Sequence, residues 1–222
     1  MSNVLNGFKG SLEWVHKQED RQWAPSKPYW PGGESGVTLR PGIDLGYCSK
    51  QVVRDAYLSG SGASILSQSD WNVLSPHIGK RGEEARRVVS QGGEIDQVQI
   101  SYQQGKKAFP HVAKKYWEGI TSRFPSLLGS SVPGAVHTAL LSLAFNRGIW
   151  NADLASIKQE IKNRNWIQLG QEISEMQQKH ELKGIRVRRR REGKKVTRAA
   201  ALIQFANRQG KIKAADVVPI NT

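Results

Sequence analysis

The chain has 222 residues, 38% of them hydrophobic and seven of them Trp, which suits one well-cored domain and excludes a disordered chain. A formal charge of +14 predicts attraction to an acidic partner: nucleic acid, an anionic membrane surface or a bacterial wall. Cys48 is the one cysteine, so an internal disulfide and a cysteine metal cluster are excluded, and the residue reads as a small buried hydrophobe.

The opening MSNVLNGFKG lacks the basic-then-apolar layout of a signal peptide, and no apolar run approaches the length of a membrane span. The expectation is synthesis in the bacterial cytoplasm, with some other agent delivering the protein if its target lies outside. Val4 to Glu19 read as an amphipathic helix, because Val4, Leu5, Phe8, Leu12 and Val15 recur at helical spacing. From Arg21 to Gly36, Pro25, Pro28, Pro31, Gly32 and Gly33 exclude a helix. Val37 to Tyr47 is a β-prone piece with Pro41-Gly42 as its turn signal.

From Ser49 the pattern is helical. Ser131 to Arg147 is apolar nearly all round and predicts a buried central helix, with His137 a satisfied core histidine. Leu154, Ile157 and Ile161 set one amphipathic helix; Trp166, Leu169, Ile173 and Met176 set a second. A last helix is predicted from Arg186 to Asn207, after Gly184. The whole reads as an α+β fold, mainly α, with a small β-containing lobe near the start and a larger helical lobe. Residues 1–209 form the expected folded domain, and 210–222 a loosely held tail.

One carboxylate stands out. Glu19 continues the Phe8, Leu12, Val15 stripe one turn beyond its last member, at a helix end just before a loop that could open a cleft. Glu13 lies on the opposite face and Asp20 off the stripe. A carboxylic acid aimed at an apolar interior is what glycoside hydrolysis needs as proton donor, with a second polar group to manage water. In the following loop, Trp23, Tyr29 and Trp30 offer aromatic planes on which the C–H faces of sugars pack, or they fill a lobe poor in other apolar residues. His16, with no second His or Cys nearby, reads as a packing residue and not as a metal ligand.

Downstream, Thr38, Gly42, Asp44, Leu45 and Gly46 form T-x-x-x-G-x-D-L-G, which resembles the β-lobe pattern of phage-type endolysins and pesticin-like toxins. LLSLAFNRG, Leu140 to Gly148, resembles the central helix of that family. GIRVRRRRE, Gly184 to Glu192, resembles the G-L-x-x-R-R-x-x-E start of its last core helix. The resemblance implies a lysozyme-like fold and a muramidase. Glu19 would be the general acid, and Asp44 and Thr38 would orient or activate water. Arg188, or its neighbour Arg189, would hold the acid in place, with Asn146 and Trp30 as supporting or substrate-binding residues.

Thr38 and Asp44 share parity, so one extended strand would point both to one face unless the Pro41-Gly42 turn broke the alternation. The family commonly has Gly after its catalytic Glu; here Asp20 places a second negative charge beside Glu19. Pro41 stands where a small residue is more usual. The implied partner is the glycan strand of peptidoglycan, cut by a monomer without metal or cofactor. A holin, a virion or a secretion system would supply the route to the wall, and an effector of this kind would have an immunity protein as partner.

Three rivals stand beside this reading. From Lys183 to Arg198 there are nine basic residues against one acid, Glu192, which suits a nucleic-acid binder, although no nucleic-acid module is recognisable. A chitinase-like enzyme would keep the fold and change the glycan; cationic chitosan would be repelled. Binding without cleavage is the third.

Overall fold

The structure, a computed structural model, describes residues 4–20, 24–59 and 64–208. Trp23 and the tail predicted from 210 lie outside these residues. The chain divides into two compact units, Glu19–Lys115 and a second assembled from Met1–Gln18 and Tyr116–Thr222. The described residues are mainly helical, with one two-stranded antiparallel sheet, so the class is α+β, mainly α.

The first helix, α1 (Leu12–Glu19), belongs to the discontinuous unit as far as Gln18 and begins eight residues later than its periodicity predicts. Gly7 takes φ +67°, a left-handed conformation that ends any helix through it. Gly10 packs so closely that a Cβ there would lie 2.8 Å from the backbone nitrogen of Thr138. Residues 4–11 instead lie as an irregular strap. Trp117 Nε1 donates to Asn6 O (2.7 Å), the Lys9 amide to His137 Nδ1 (3.0 Å) and the Ser11 amide to Thr138 Oγ1 (2.8 Å). Ser11 then starts the helix by accepting the Trp14 amide on its side chain (3.1 Å). Leu5 and Phe8 are buried as their pattern predicts, but by the strap and not by a helix.

The core of this unit is α6 (Gly134–Arg147), in which every residue from Gly134 to Phe145 is buried. It starts three residues later than expected, behind Pro133, and stops at Gly148, whose φ is +84°. The single helix expected around Ile157 is two, α7 (Ala152–Ser156) and α8 (Lys158–Asn163), because Ile157 leaves helical geometry at φ −92°, ψ 10°. Next come α9 (Trp166–Glu175) and α10 (Lys183–Arg208). The last begins three residues before its predicted start and incorporates Gly184. These two helices meet through glycines: a Cβ on Gly193 would lie 2.2 Å from Gly170 O, and one on Gly170 would lie 2.3 Å from Thr197 Oγ1.

The Glu19–Lys115 unit holds the sheet, β1 (Thr38–Leu39) and β2 (Ile43–Asp44). It also holds α2 (Lys50–Arg54), α3 (Gln68–Leu74), α4 (Gly82–Gln91) and the first part of α5 (Tyr102–Arg123). Its core includes Val37, Leu39, Ile43, Leu45, Val53, Tyr57, Leu74 and Phe109. Cys48 is half-buried, not fully buried as a small hydrophobe would be, and burial pushes its thiol up against the pull of Lys115, whose Nζ lies 3.1 Å from its Sγ and 3.3 Å from Tyr47 O.

Candidate active site

Local sequence explains the hairpin that carries Thr38 and Asp44. Leu39 and Ile43 are cross-strand partners, each 1% exposed, and their burial fixes the register. The turn between them closes with the Gly42 amide donating to Leu39 O (2.7 Å), with Gly42 at φ +87° and a cis Arg40–Pro41 bond. In that register Thr38 stands directly opposite Asp44. Cross-strand partners of an antiparallel pair share a face, so the six-residue spacing brings the two together across a turn and not along one strand. The Pro41-Gly42 turn does break the alternation, and the pairing restores what it breaks.

Asp44 is set by its backbone surroundings. Its Oδ1 accepts the amides of Gly36 (2.9 Å) and Gly46 (2.8 Å), and it caps the short 3₁₀ turn Leu45–Tyr47. Both glycines are sterically required. A Cβ on Gly36 would lie 2.3 Å from Gly46 N and 2.5 Å from Asp44 Oδ1; one on Gly46 would lie 2.5 Å from Arg81 Cγ and 3.0 Å from that same oxygen. This is the physical content of the final Gly in the pattern. Oδ2 carries no hydrogen bond from a described residue. Burial pushes the Asp44 carboxyl up, while the two amides and the charges of Lys115 and Arg81 pull against it.

Glu19 ends α1 half-buried, beside the hairpin turn: a Cβ on Gly42 would lie 3.6 Å from Glu19 O and 3.8 Å from Glu19 Cβ. Asp20, which follows, does not confront Glu19 with a bare second charge. It is buried and paired with Arg40, whose Nε lies 2.8 Å from its Oδ1, both side chains being at most 5% exposed. Arg40 is anchored further by Ala24 O (2.7 Å), and its carbonyl accepts the Tyr57 hydroxyl (2.6 Å). Gly105 of α5 makes room for the pair, since a Cβ there would lie 2.7 Å from Arg40 Cγ. The local pattern gives no sign of this pair, because Asp20 sits in the polar run from Lys17 to Gln22 and its partner lies twenty positions away on the hairpin.

The loop contributes Tyr29. Its backbone pairs with Thr38 on the side away from Asp44, through Tyr29 N to Thr38 O (3.1 Å) and Thr38 N to Tyr29 O (2.7 Å). That bridge places Tyr29, Thr38 and Asp44 in one row across three extended segments. Burial raises the Tyr29 phenol, and Asp20, Glu19 and Asp44 raise it further while Arg40 opposes them, so it stays a hydrogen-bond donor. Trp30 is half-buried with its indole N–H on Ser35 O (3.1 Å). Thr38 is buried, and its hydroxyl makes a long contact of 3.4 Å to Gly36 O.

Glu19, Trp30, Thr38 and Asp44 thus belong to one unit, whereas Asn146 and Arg188 belong to the other. There Arg188 Nε contacts Glu192 Oε1 (3.1 Å), and its Nη2 donates to Ser142 O (2.9 Å) and Ser142 Oγ (2.8 Å). Arg189 Nη1 lies 2.6 Å from Glu192 Oε2, and its Nη2 donates to Asn146 Oδ1 (2.9 Å). The R-R-x-x-E element is therefore a buried ion cluster on one turn of α10. Among the described residues no group of three or more His, Cys, Asp or Glu is placed to hold a metal ion, and no helix is long and apolar enough to cross a membrane. No protein-family model matches the chain, and no curated protein matches it in sequence.

Proposed function

We propose that the chain is a peptidoglycan muramidase with a lysozyme-like fold, hydrolysing the β-1,4 bond between N-acetylmuramic acid and N-acetylglucosamine. The observation that carries this reading is the pairing of Thr38 with Asp44 on a hairpin whose turn, at Gly42, lies against Glu19. Two carboxyl groups in different surroundings, one fixed by backbone amides and one at a helix terminus, match the division of labour that glycoside hydrolysis demands. Glu19 gives its proton to the glycosidic oxygen as the bond from the anomeric carbon breaks. Asp44 holds its Oδ1 on the two amides and turns Oδ2 to the water that attacks that carbon, with Thr38 helping to place it. Trp30 and Tyr29 supply aromatic surface for the sugar. The net charge of +14 favours encounter with an anionic wall.

The test is release of new reducing ends from purified peptidoglycan by wild type, Glu19→Gln and Asp44→Asn. Wild type should release them, and each variant should fall by about 100-fold or more while remaining folded. Full activity in a folded Glu19→Gln variant would overturn the assignment, and release from chitin but not peptidoglycan would move the substrate to the chitinase-like alternative.

A further inference from the structure

Helix α10 runs for 26 residues, and burial divides it into two faces. Arg188, Arg189, Glu192, Gly193, Val196, Ala199, Ala200, Ile203 and Ala206 point inward. On the other side Lys183, Arg190, Arg191, Lys194, Arg198, Leu202, Phe205 and Arg208 are exposed and fall within a stripe about 120° wide at helical spacing. The stripe has no acid, because the only acid of the helix, Glu192, is 0% exposed on the opposite face. Leu202 is 57% and Phe205 63% exposed, set one turn apart between Arg198 and Arg208. The neutral remainder of the stripe is small or half-buried: Gly184, Val187 and Ala201.

We propose that this face of α10 docks on an anionic phospholipid bilayer, its cations on the lipid phosphates and Leu202 and Phe205 in the acyl boundary. Charge complementarity calls for an anionic partner, and two large apolar side chains within the same stripe call for one with an apolar layer behind its charge. A nucleic acid or an anionic wall polymer would satisfy the cations and leave Leu202 wet. A second copy would set six cations against six. The inference is independent of the glycosidase reading, since it uses none of the residues placed in that site.

The test uses the full chain and sedimentation with vesicles of phosphatidylcholine alone or mixed with phosphatidylglycerol. Binding should require phosphatidylglycerol. The double variant Leu202→Gln/Phe205→Gln should weaken it by at least about tenfold while leaving the circular dichroism spectrum and the denaturant midpoint unchanged. Lys194→Gln/Arg198→Gln should weaken it more than Arg87→Gln/Lys107→Gln, a pair of exposed cations of the other unit. Equal losses from the two cation pairs, with no loss from the apolar variant, would reduce the effect to diffuse adsorption of a basic protein and overturn the proposal. So would tighter binding to a DNA duplex than to the vesicles, or self-association that the apolar variant abolishes.

Discussion

The two units bury charge by different means. In the discontinuous unit, Glu192 meets Arg188, Arg189 and Ser142, so a carboxylate that is 0% exposed is answered by side chains. In the Glu19–Lys115 unit, Asp44 is answered by two backbone amides, and only on one oxygen. The first arrangement closes the group off; the second fixes its position and leaves an oxygen for other business. Position in the fold, not residue type, separates a carboxylate that holds a helix in place from one suited to chemistry. Asp20 follows the first pattern inside the second unit, which is why its ion pair with Arg40 reads as support for the segment next to Glu19.

The contrast can be broken by substitution. Glu192→Ala should cost the most stability, about 3–5 kcal/mol, because two guanidiniums are left in a buried site without their counter-charge; denaturant unfolding measures it. Gly36→Ala should cost about 1–3 kcal/mol, since its Cβ would strike the Gly46 backbone, and hydrolysis should fall further than the stability loss explains. His137 should give a pH signature. Burial lowers it from 6.5 to about 4, so the folded protein binds fewer protons than the unfolded chain between those values. Stability is then full above the unfolded value and is lost as pH falls toward the folded one. It should drop by about 2 kcal/mol from neutral pH to about pH 5, and His137→Gln should abolish that slope. Asp44→Asn should cost under about 1 kcal/mol of stability, because an amide oxygen still accepts both N–H groups, yet it should lose hydrolysis. The smallest effect belongs to Lys115→Met. Removing a charge that holds the Asp44 carboxyl down should move the acid limb of the pH–rate profile to higher pH, and an unmoved limb would detach Asp44 from the reaction.

Much of this was legible in the residue pattern, but for uneven reasons. Burial of Leu5, Phe8 and Val15 follows from their spacing, and α6 announces itself by its unbroken apolar run. Residues 4–11 show helical spacing without a helix, because a strap with two apolar anchors has the same spacing and Gly7 breaks the helix. Thr38 and Asp44 could be chosen from their spacing, but a parity argument cannot tell one strand from a paired turn. Arg40 and Tyr29 were out of reach as partners, because their roles depend on contacts with residues up to twenty positions away. The R-R-x-x-E element was visible as a motif, but the pattern could not show that its own Glu192 would claim both arginines.

The strap of residues 4–11 bears on the order in which the protein can be completed during synthesis. Its anchors, Trp117, His137 and Thr138, lie 111 to 128 positions further along the chain. At ribosomal rates of 5–20 residues per second, the early residues wait roughly 6–25 s for those partners to emerge. Residues 19–115 have all been made by then and can close on themselves first. The hairpin with its paired Thr38 and Asp44 is thus free to form while the opening segment is still unanchored, and the last unit to finish is the one that holds the beginning of the chain.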